Sequence, residues 1–164
     1  MIDDQAMQTA ARRLRLPGAM ALFQWTSMPL GAFAGLRVER LDGEVCVVRM
    51  PGGWRTRNPF KSTYWAAQGM AGEMSTGVMA FLMTQASSKK VRMILSDVEG
   101  SFSRRCLTGS RYVCEDGTKA RAAIEETLTT HESVPCAMRA VGYDMEGEAI
   151  SEWTFTWSFR AKSA

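Results

Sequence analysis

The stretch STYWAAQGMAGEMSTGVMAFLMTQASS, residues 62–88, decides the fold. Its 27 residues include one charged side chain, that of Glu73, and apolar or small residues occupy most of the other positions. Because no face of the segment is polar, it predicts a helix that is buried on every side. Ser62 or Thr63 is the expected N-cap, and two lysines follow the end of the segment.

A membrane span is the competing interpretation, since about 20 apolar residues can cross a bilayer. Glu73, near the centre of the segment, would cost about 2.5–3.5 kcal/mol on insertion, and Gln68 and several glycines lower the apolar character further. The flanking sequence has the pattern of an antiparallel sheet, one face of which needs cover. We therefore expect a helix wrapped by a sheet, and no membrane contact.

Strand patterns surround the central segment. Residues 36–50, LRVERLDGEVCVVRM, alternate on both sides of Asp42 and Gly43, which predicts a hairpin with its turn at those two residues. In EAISEWTFTWSF, residues 148–159, the alternation places large aromatic residues on one face and hydroxyl residues on the other. Further extended segments are expected at residues 91–98, 101–107, 110–115 and 135–143, with a turn at 144–147 before the last strand.

Helices are expected at the N-terminus and in one later segment. Residues 3–15 and 19–27 have helical composition and are separated by Pro17 and Gly18, and residues 119–128 predict a short amphipathic helix. The length of 164 residues is ordinary for one unit. We therefore predict a single α+β domain over residues 1–164, with an N-terminal helical extension at 1–35 and a core at 36–160.

The charge and the metal-ligating residues exclude several functions. A formal charge of +3 is too mild and too dispersed to indicate a nucleic-acid partner. His131 is the only histidine and the four cysteines lack zinc-ligand spacing, so no metal site is expected. We interpret the cysteines as free, mostly buried thiols of a cytoplasmic protein. The arginines ahead of the first apolar stretch do not make it a signal peptide, because acidic residues precede them and the apolar run is interrupted.

The residues N58PFKSTYWAAQGMAGEMSTG77 resemble the helix-entry motif of hotdog-fold thioesterases, in the phenylacetyl-CoA thioesterase-like branch. That motif has an asparagine six residues before a histidine-glycine-glycine, an acidic residue nine residues after the histidine, and a glycine four residues later. Asn58, Glu73 and Gly77 match this spacing, whereas Tyr64, Trp65 and Ala66 replace the histidine and both glycines. The WTFTWSFR strand is similar to the end of uncharacterised hotdog proteins. The resemblance implies a hotdog fold, in which a curved antiparallel sheet wraps a long central helix.

Thioester hydrolysis needs a base or nucleophile and donors for the developing oxyanion. Glu73 is the candidate base or nucleophile, since burial raises the pKa of a carboxyl group. The first backbone N–H groups of the helix, near Tyr64 and Trp65, are the candidate donors. Nine residues of helix place Tyr64 and Glu73 about 13.5 Å apart in rise and on opposite faces. A two-fold dimer with antiparallel helices would bring Glu73 of one chain to the helix start of the other, and the resemblance implies the same arrangement.

The substrate is expected to be a small acyl thioester, with coenzyme A as part of the substrate and no separate cofactor. Arg55, Arg57 and Lys61 are the candidate phosphate ligands near the helix entry, and Lys89 with Lys90 forms a second candidate at its other end. The assembly is expected to be a homodimer or a dimer of dimers.

Each candidate residue also has a structural interpretation. Glu73 could pair with an arginine or bond to a strand, Asn58 could serve only in a turn, and Tyr64 and Trp65 could be core aromatics. The cationic side chains could form a solvated face. The alternative function is a non-catalytic hotdog module that binds an acyl chain or an aromatic acid.

Overall fold

A computed structural model describes residues 1–14 and 18–162. The helices are α1 (Asp4–Leu14), α2 (Ala19–Ser27), α3 (Pro29–Ala34), α4 (Trp65–Gln85) and α5 (Gly117–Thr130). The strands are β1 (Arg37–Leu41), β2 (Cys46–Met50), β3 (Val91–Phe102), β4 (Ser110–Cys114), β5 (Val134–Asp144) and β6 (Ala149–Ala161). The predicted end of the first helix at Arg15, and the break at Pro17, lie outside the described residues.

The strands form one antiparallel sheet in the order β1-β2-β4-β5-β6-β3. The sheet curves around α4, so the predicted α+β hotdog architecture is confirmed. Helix α5 packs against β5, β6 and α4, and the three N-terminal helices pack near α4 and lead into β1. No helix in the described ranges has the length together with the hydropathy that a membrane span requires.

Helix α4 lies close to the sheet because glycines meet aromatic rings there. A methyl group added to Gly69 would lie 3.1 Å from the ring of Trp153, and one added to Gly72 would lie 3.0 Å from Phe155. These rings belong to the buried face of β6, which the alternation predicted correctly. A Cβ at either glycine would push the helix from the rings, and loosening such a contact loses packing energy that a close-packed core does not recover.

A polar network ties the start of α4 to the middle of the sheet. The hydroxyl of Tyr112, on β4, donates a hydrogen bond to Oε1 of Gln68 at 3.0 Å, and Nε2 of Gln68 donates to the carbonyl of Thr63 at 3.3 Å. Burial raises the pKa of Tyr112, so its hydroxyl stays protonated and remains a donor. The register of the helix entry against the sheet therefore depends on one buried amide.

Three predictions of local structure are wrong in detail. Tyr64 is the N-cap residue of α4 and makes no side-chain capping bond, so neither Ser62 nor Thr63 has that role. The strand predicted at 101–107 ends at Phe102, because the chain turns away there into the bends that precede β4. The expected chain exit after Ser27 contains a further short helix, α3, that ends at Gly35 with a φ of 83°.

Helix α4 is also not buried on every side. Ala66, Gly69, Met70 and Glu73 are only partly buried, and together they form one stripe along the first half of the helix, which we call the open stripe. The sequence pattern could not reveal this stripe, because its residues are as small and apolar as those that face the sheet.

Removal of the Tyr112 hydroxyl tests the network. We expect Tyr112→Phe to lower the free energy of unfolding by about 1–3 kcal/mol, since Gln68 then keeps a buried acceptor without a partner. The double variant Tyr112→Phe with Gln68→Leu should lose less than the sum of the single variants. Urea unfolding measures both, and additive losses would contradict a coupled pair.

Candidate functional site

The loop before α4 is organised by Asn58. Its Oδ1 accepts hydrogen bonds from the backbone N–H of Phe60 at 3.0 Å, from that of Ser62 at 3.2 Å and from the Ser62 hydroxyl at 3.2 Å. Lys61, in the same turn, adopts a left-handed φ of 62°. These contacts are those of a turn residue that fixes the backbone leading into the helix.

The loop delivers the helix start with free donors. The N–H of Thr63 donates to the carbonyl of Cys106 at 2.7 Å, and that of Tyr64 donates to the carbonyl of Thr56 at 2.7 Å. The next two amides, those of Trp65 and Ala66, make no hydrogen bond within the described part of the chain. They are first-turn N–H groups at the positive end of a 21-residue helix, and such groups favour a negative charge.

The aromatic side chains at the helix start are exposed. Tyr64 and Trp65 are 47% and 57% exposed, and their rings meet edge to face. The structural alternative that made them core residues is therefore wrong. Their side chains flank the free amides, where the resembling motif has a histidine and a glycine.

Glu73 lies on the open stripe, beside the aromatic face of β6. Its Oε1 is 3.0 Å from the position that a Cβ of Gly77 would occupy, and the ring of Trp157 lies 3.1 Å from the same position. Among the described residues, none donates a hydrogen bond to the carboxylate or forms an ion pair with it. Burial raises the pKa of Glu73, and no cation offsets that effect. Neither the arginine pair nor the strand bond of the structural alternative is present.

The Trp157 ring is held in place through Thr76. The indole Nε1 of Trp157 donates to Oγ1 of Thr76 at 2.9 Å, and the Thr76 hydroxyl donates to the backbone carbonyl of Glu73 at 3.0 Å. Ring, hydroxyl and helix backbone thus form one chain of contacts. The wall beside the carboxylate is consequently fixed by the same helix that carries it.

The helix start and Glu73 do not meet within one chain. Ala66 and Glu73 are seven residues apart, which is about 10.5 Å along the axis. They share the open stripe, so their exposed sides point the same way. A reacting carbonyl needs both groups within about 3–3.5 Å of its atoms, so one protomer cannot supply both.

The cationic candidates do not form one group. Arg55 donates to the carbonyl of Phe33 at 3.2 Å, and its guanidinium lies 6.0 Å from the centre of the Trp54 ring. Arg57 and Lys61 are exposed on the turn and do not line the cleft that contains Arg55. The pair Lys89 and Lys90 follows the far end of α4, about 30 Å from the helix start.

Sequence reasoning missed Gln68 as a positioning residue. It had weight only as a polar residue that lowers the apolar character of the helix. Its signal was available, since an uncharged amide inside an apolar helix must find buried partners. The identity of the partner, Tyr112, required the tertiary structure.

Residues 20–159 match the family model described as a domain of unknown function, DUF4442. The chain belongs to this family. Among curated proteins, none matches the chain.

Solved structures with the same fold cover nearly the whole chain. A Pseudomonas aeruginosa protein of unknown function, described as a "Probable Thioesterase", has a TM-score of 0.76 at 22% identity, over 92% of this chain and 99% of that one. A Chlorobaculum tepidum protein of unknown function has a TM-score of 0.75 at 14% identity, over 98% of each chain. A thioesterase from Haemophilus influenzae has a TM-score of 0.65 at 11% identity, over 85% and 88%. These likenesses confirm the hotdog fold.

The desolvated carboxylate has a consequence for stability. Between the ordinary pKa of a glutamate, 4.5, and the raised pKa of Glu73, the folded chain holds a proton that the unfolded chain has released. Stability therefore falls as the pH rises through this window. We expect Glu73→Gln to be more stable than the wild type at neutral pH, and the difference to shrink below pH 4.5.

Thermal unfolding of both proteins across this pH range measures the effect. The exposed carboxylate of Glu126, on α5, provides the matched control Glu126→Gln, which should show no such pH-dependent gain. A Glu73→Gln variant that is less stable than the wild type at neutral pH would show that the carboxylate has a stabilising partner.

Proposed function

We propose that this protein hydrolyses an acyl thioester at a site shared between two chains. Glu73 of one chain acts as base or nucleophile, and the free amides at the start of α4 in the other chain stabilise the oxyanion. The observation that carries the proposal is the desolvated Glu73 carboxylate without a described ion partner, on a stripe that leads to free helix amides. The hotdog structures described as thioesterases support the same reaction class.

The chemistry requires a carboxylate that is charged yet poorly solvated. The raised pKa of Glu73 moves it toward the range in which a general base is effective at neutral pH. As a base, Glu73 takes a proton from water, the hydroxide adds to the thioester carbonyl, and the thiolate leaves with a proton. As a nucleophile, it forms an acyl anhydride that water then hydrolyses. Both routes yield a carboxylic acid and a thiol.

The second half of the site is the helix start. The Trp65 and Ala66 amides can donate to the oxygen that becomes negative when the carbonyl is attacked. An antiparallel copy of α4 against the open stripe would place these amides next to the partner chain's carboxylate. The stripe is suited to such an approach, because Ala66 and Gly69 have small side chains or none.

The sheet edge supports the dimer. Strand β3 is a twelve-residue edge strand that pairs only with β6 in the described structure. Ile94, 66% exposed, Val98 and Phe102 leave apolar surface on it. A long apolar edge is a surface for pairing with another chain, whereas the opposite edge, β1, is short, charged and irregular. Glu73 lies over β6, one strand in from the β3 edge, so an edge-to-edge dimer would enclose it.

The thiol carrier in this proposal is coenzyme A, with no separate cofactor. Its phosphates need cationic partners, and Arg55, Arg57 and Lys61 lie on the loop that leads into α4. We also propose that the protein acts in the cytoplasm, as a homodimer or a dimer of dimers, without a nucleic-acid or membrane partner. The four cysteines support a reducing location, because all are free thiols and all are buried.

A non-catalytic module that binds an acyl or aromatic acid is the second candidate. The exposed ring of Trp65 favours it, since a large side chain beside the free amides narrows the approach to them. Hydrolysis of a panel of acyl-CoA esters decides between the two.

In that panel, Glu73→Gln should lower kcat by about 10²–10⁴-fold, because the amide can neither take the proton nor attack the carbonyl. Glu126→Gln should retain wild-type turnover. If no ester is hydrolysed by the wild type, or if Glu73→Gln is as active as the wild type, the binding module is the better assignment.

The shared site predicts that activity depends on assembly. Ile94→Lys with Val98→Lys should convert the dimer to a monomer and abolish turnover, because charges on the β3 edge oppose pairing. Leu30→Lys, at a residue of similar exposure on α3 near the other sheet edge, should leave both unchanged. Size-exclusion chromatography with light scattering, run beside the esterase assay, measures both. An active monomer would refute the shared site.

A further inference from the structure

A cleft of about 410 Å³ lies at the open end of the β1–β2 hairpin, away from Glu73. Its lining includes the side chains of Arg37, Arg49 and Arg55 and the indole of Trp54. We propose that this cleft binds the nucleotide end of coenzyme A, with the arginines on its phosphates and Trp54 on its adenine. The inference rests on the proposed function for the identity of the ligand.

The charge of the cleft lacks compensation from the protein. Arg37 and Arg49 lie directly opposite each other in the β1–β2 register, where like charges repel. Glu39 is the only described carboxylate paired with either, at 3.9 Å from Arg49, and it lies closer to Arg111, at 2.6 Å. Among the described residues, Arg37 has no ion pair. An anion bound between the two guanidinium groups would relieve this repulsion.

Arg55 and Trp54 are already ordered for such a ligand. The Arg55 guanidinium is held by the Phe33 carbonyl and lies over the rings of Phe33, at 5.9 Å, and of Trp54, at 6.0 Å. Trp54 is 73% exposed, so one face of its indole is available to a planar base. Stacking of a base on such a ring contributes about 1–3 kcal/mol in other proteins.

The loop between the arginines adds backbone donors. The N–H groups of Gly52 and Gly53 line the cleft and make no hydrogen bond with other described residues. The space above Gly52 is confined, since a Cβ there would lie 2.8 Å from the backbone of Thr108. Unpaired amides beside guanidinium groups match the chemistry of a phosphate, which accepts several hydrogen bonds.

The cleft is connected to the start of α4 in the same chain. Thr56 follows Arg55 directly, and its carbonyl holds the N–H of Tyr64. On the other side, Gly52 contacts Thr108, and Cys106 of the same loop holds Thr63. A ligand with its phosphates in the cleft can therefore extend its pantetheine arm toward the amides of Trp65 and Ala66. The thioester would meet Glu73 of the partner chain there.

Binding of adenosine 3′,5′-bisphosphate, measured by calorimetry, tests the cleft without any need for turnover. We expect the wild type to bind it, and Arg37→Gln with Arg49→Gln to weaken binding about tenfold or more. Arg12→Gln is the matched control, since Arg12 is an exposed arginine near the turn end of the same hairpin. Trp54→Ala should weaken binding of the nucleotide but not of inorganic pyrophosphate. No binding by the wild type, or equal binding by the double variant, would overturn the proposal.

Kinetics separate this proposal from the proposed function. With acyl-CoA, the double variant should raise KM about tenfold at similar kcat, and with the N-acetylcysteamine thioester of the same acid it should match the wild type. Turnover that depends on Glu73 but ignores the double variant on both substrates would refute the cleft alone. Nucleotide binding that the double variant weakens, in a protein that hydrolyses no thioester, would support the cleft and refute the hydrolase.

Discussion

The close contact between α4 and β6 is the constraint on which the rest of the structure depends. Gly69, Gly72 and Gly77 each meet an aromatic ring of β6 at a distance that a Cβ would crowd. Three successive small-to-large contacts fix the height, the angle and the register of the helix over the sheet. A helix that bears larger residues there would stand off, and the curved sheet would no longer close around it.

The same contact creates the chemistry at Glu73. With Gly77 against Trp157, the Glu73 side chain lies beside an indole and receives no cation from a described residue. Its carboxylate is therefore poorly solvated while one side of the helix stays open. A partly buried charge without a partner costs stability, which a merely structural residue would have no reason to retain. The open stripe and the unpaired β3 edge both lie on the side from which a second chain could complete the site.

Much of the fold was predictable because its signals are local. The Asp42–Gly43 turn, the alternation of β6 and the apolar length of α4 each depend on neighbours within a few residues. The N-cap was not predictable in the same way, because Tyr64 is positioned by the Thr56 carbonyl instead of by a capping side chain. Asn58 could be placed in a turn from its neighbours, and its contacts are those of a turn residue.

By itself the sequence determined that a nearly uncharged helix must be covered by an antiparallel sheet, and that Glu73 is its single charge. Only the tertiary structure decided which stripe of α4 remains open, that Gln68 bonds to Tyr112, and that Arg37, Arg49 and Arg55 line one cleft. The physical reason is distance along the chain. Periodicity records whether a residue is apolar or polar, whereas a cavity or a buried pair depends on segments that meet only when the sheet curves around the helix.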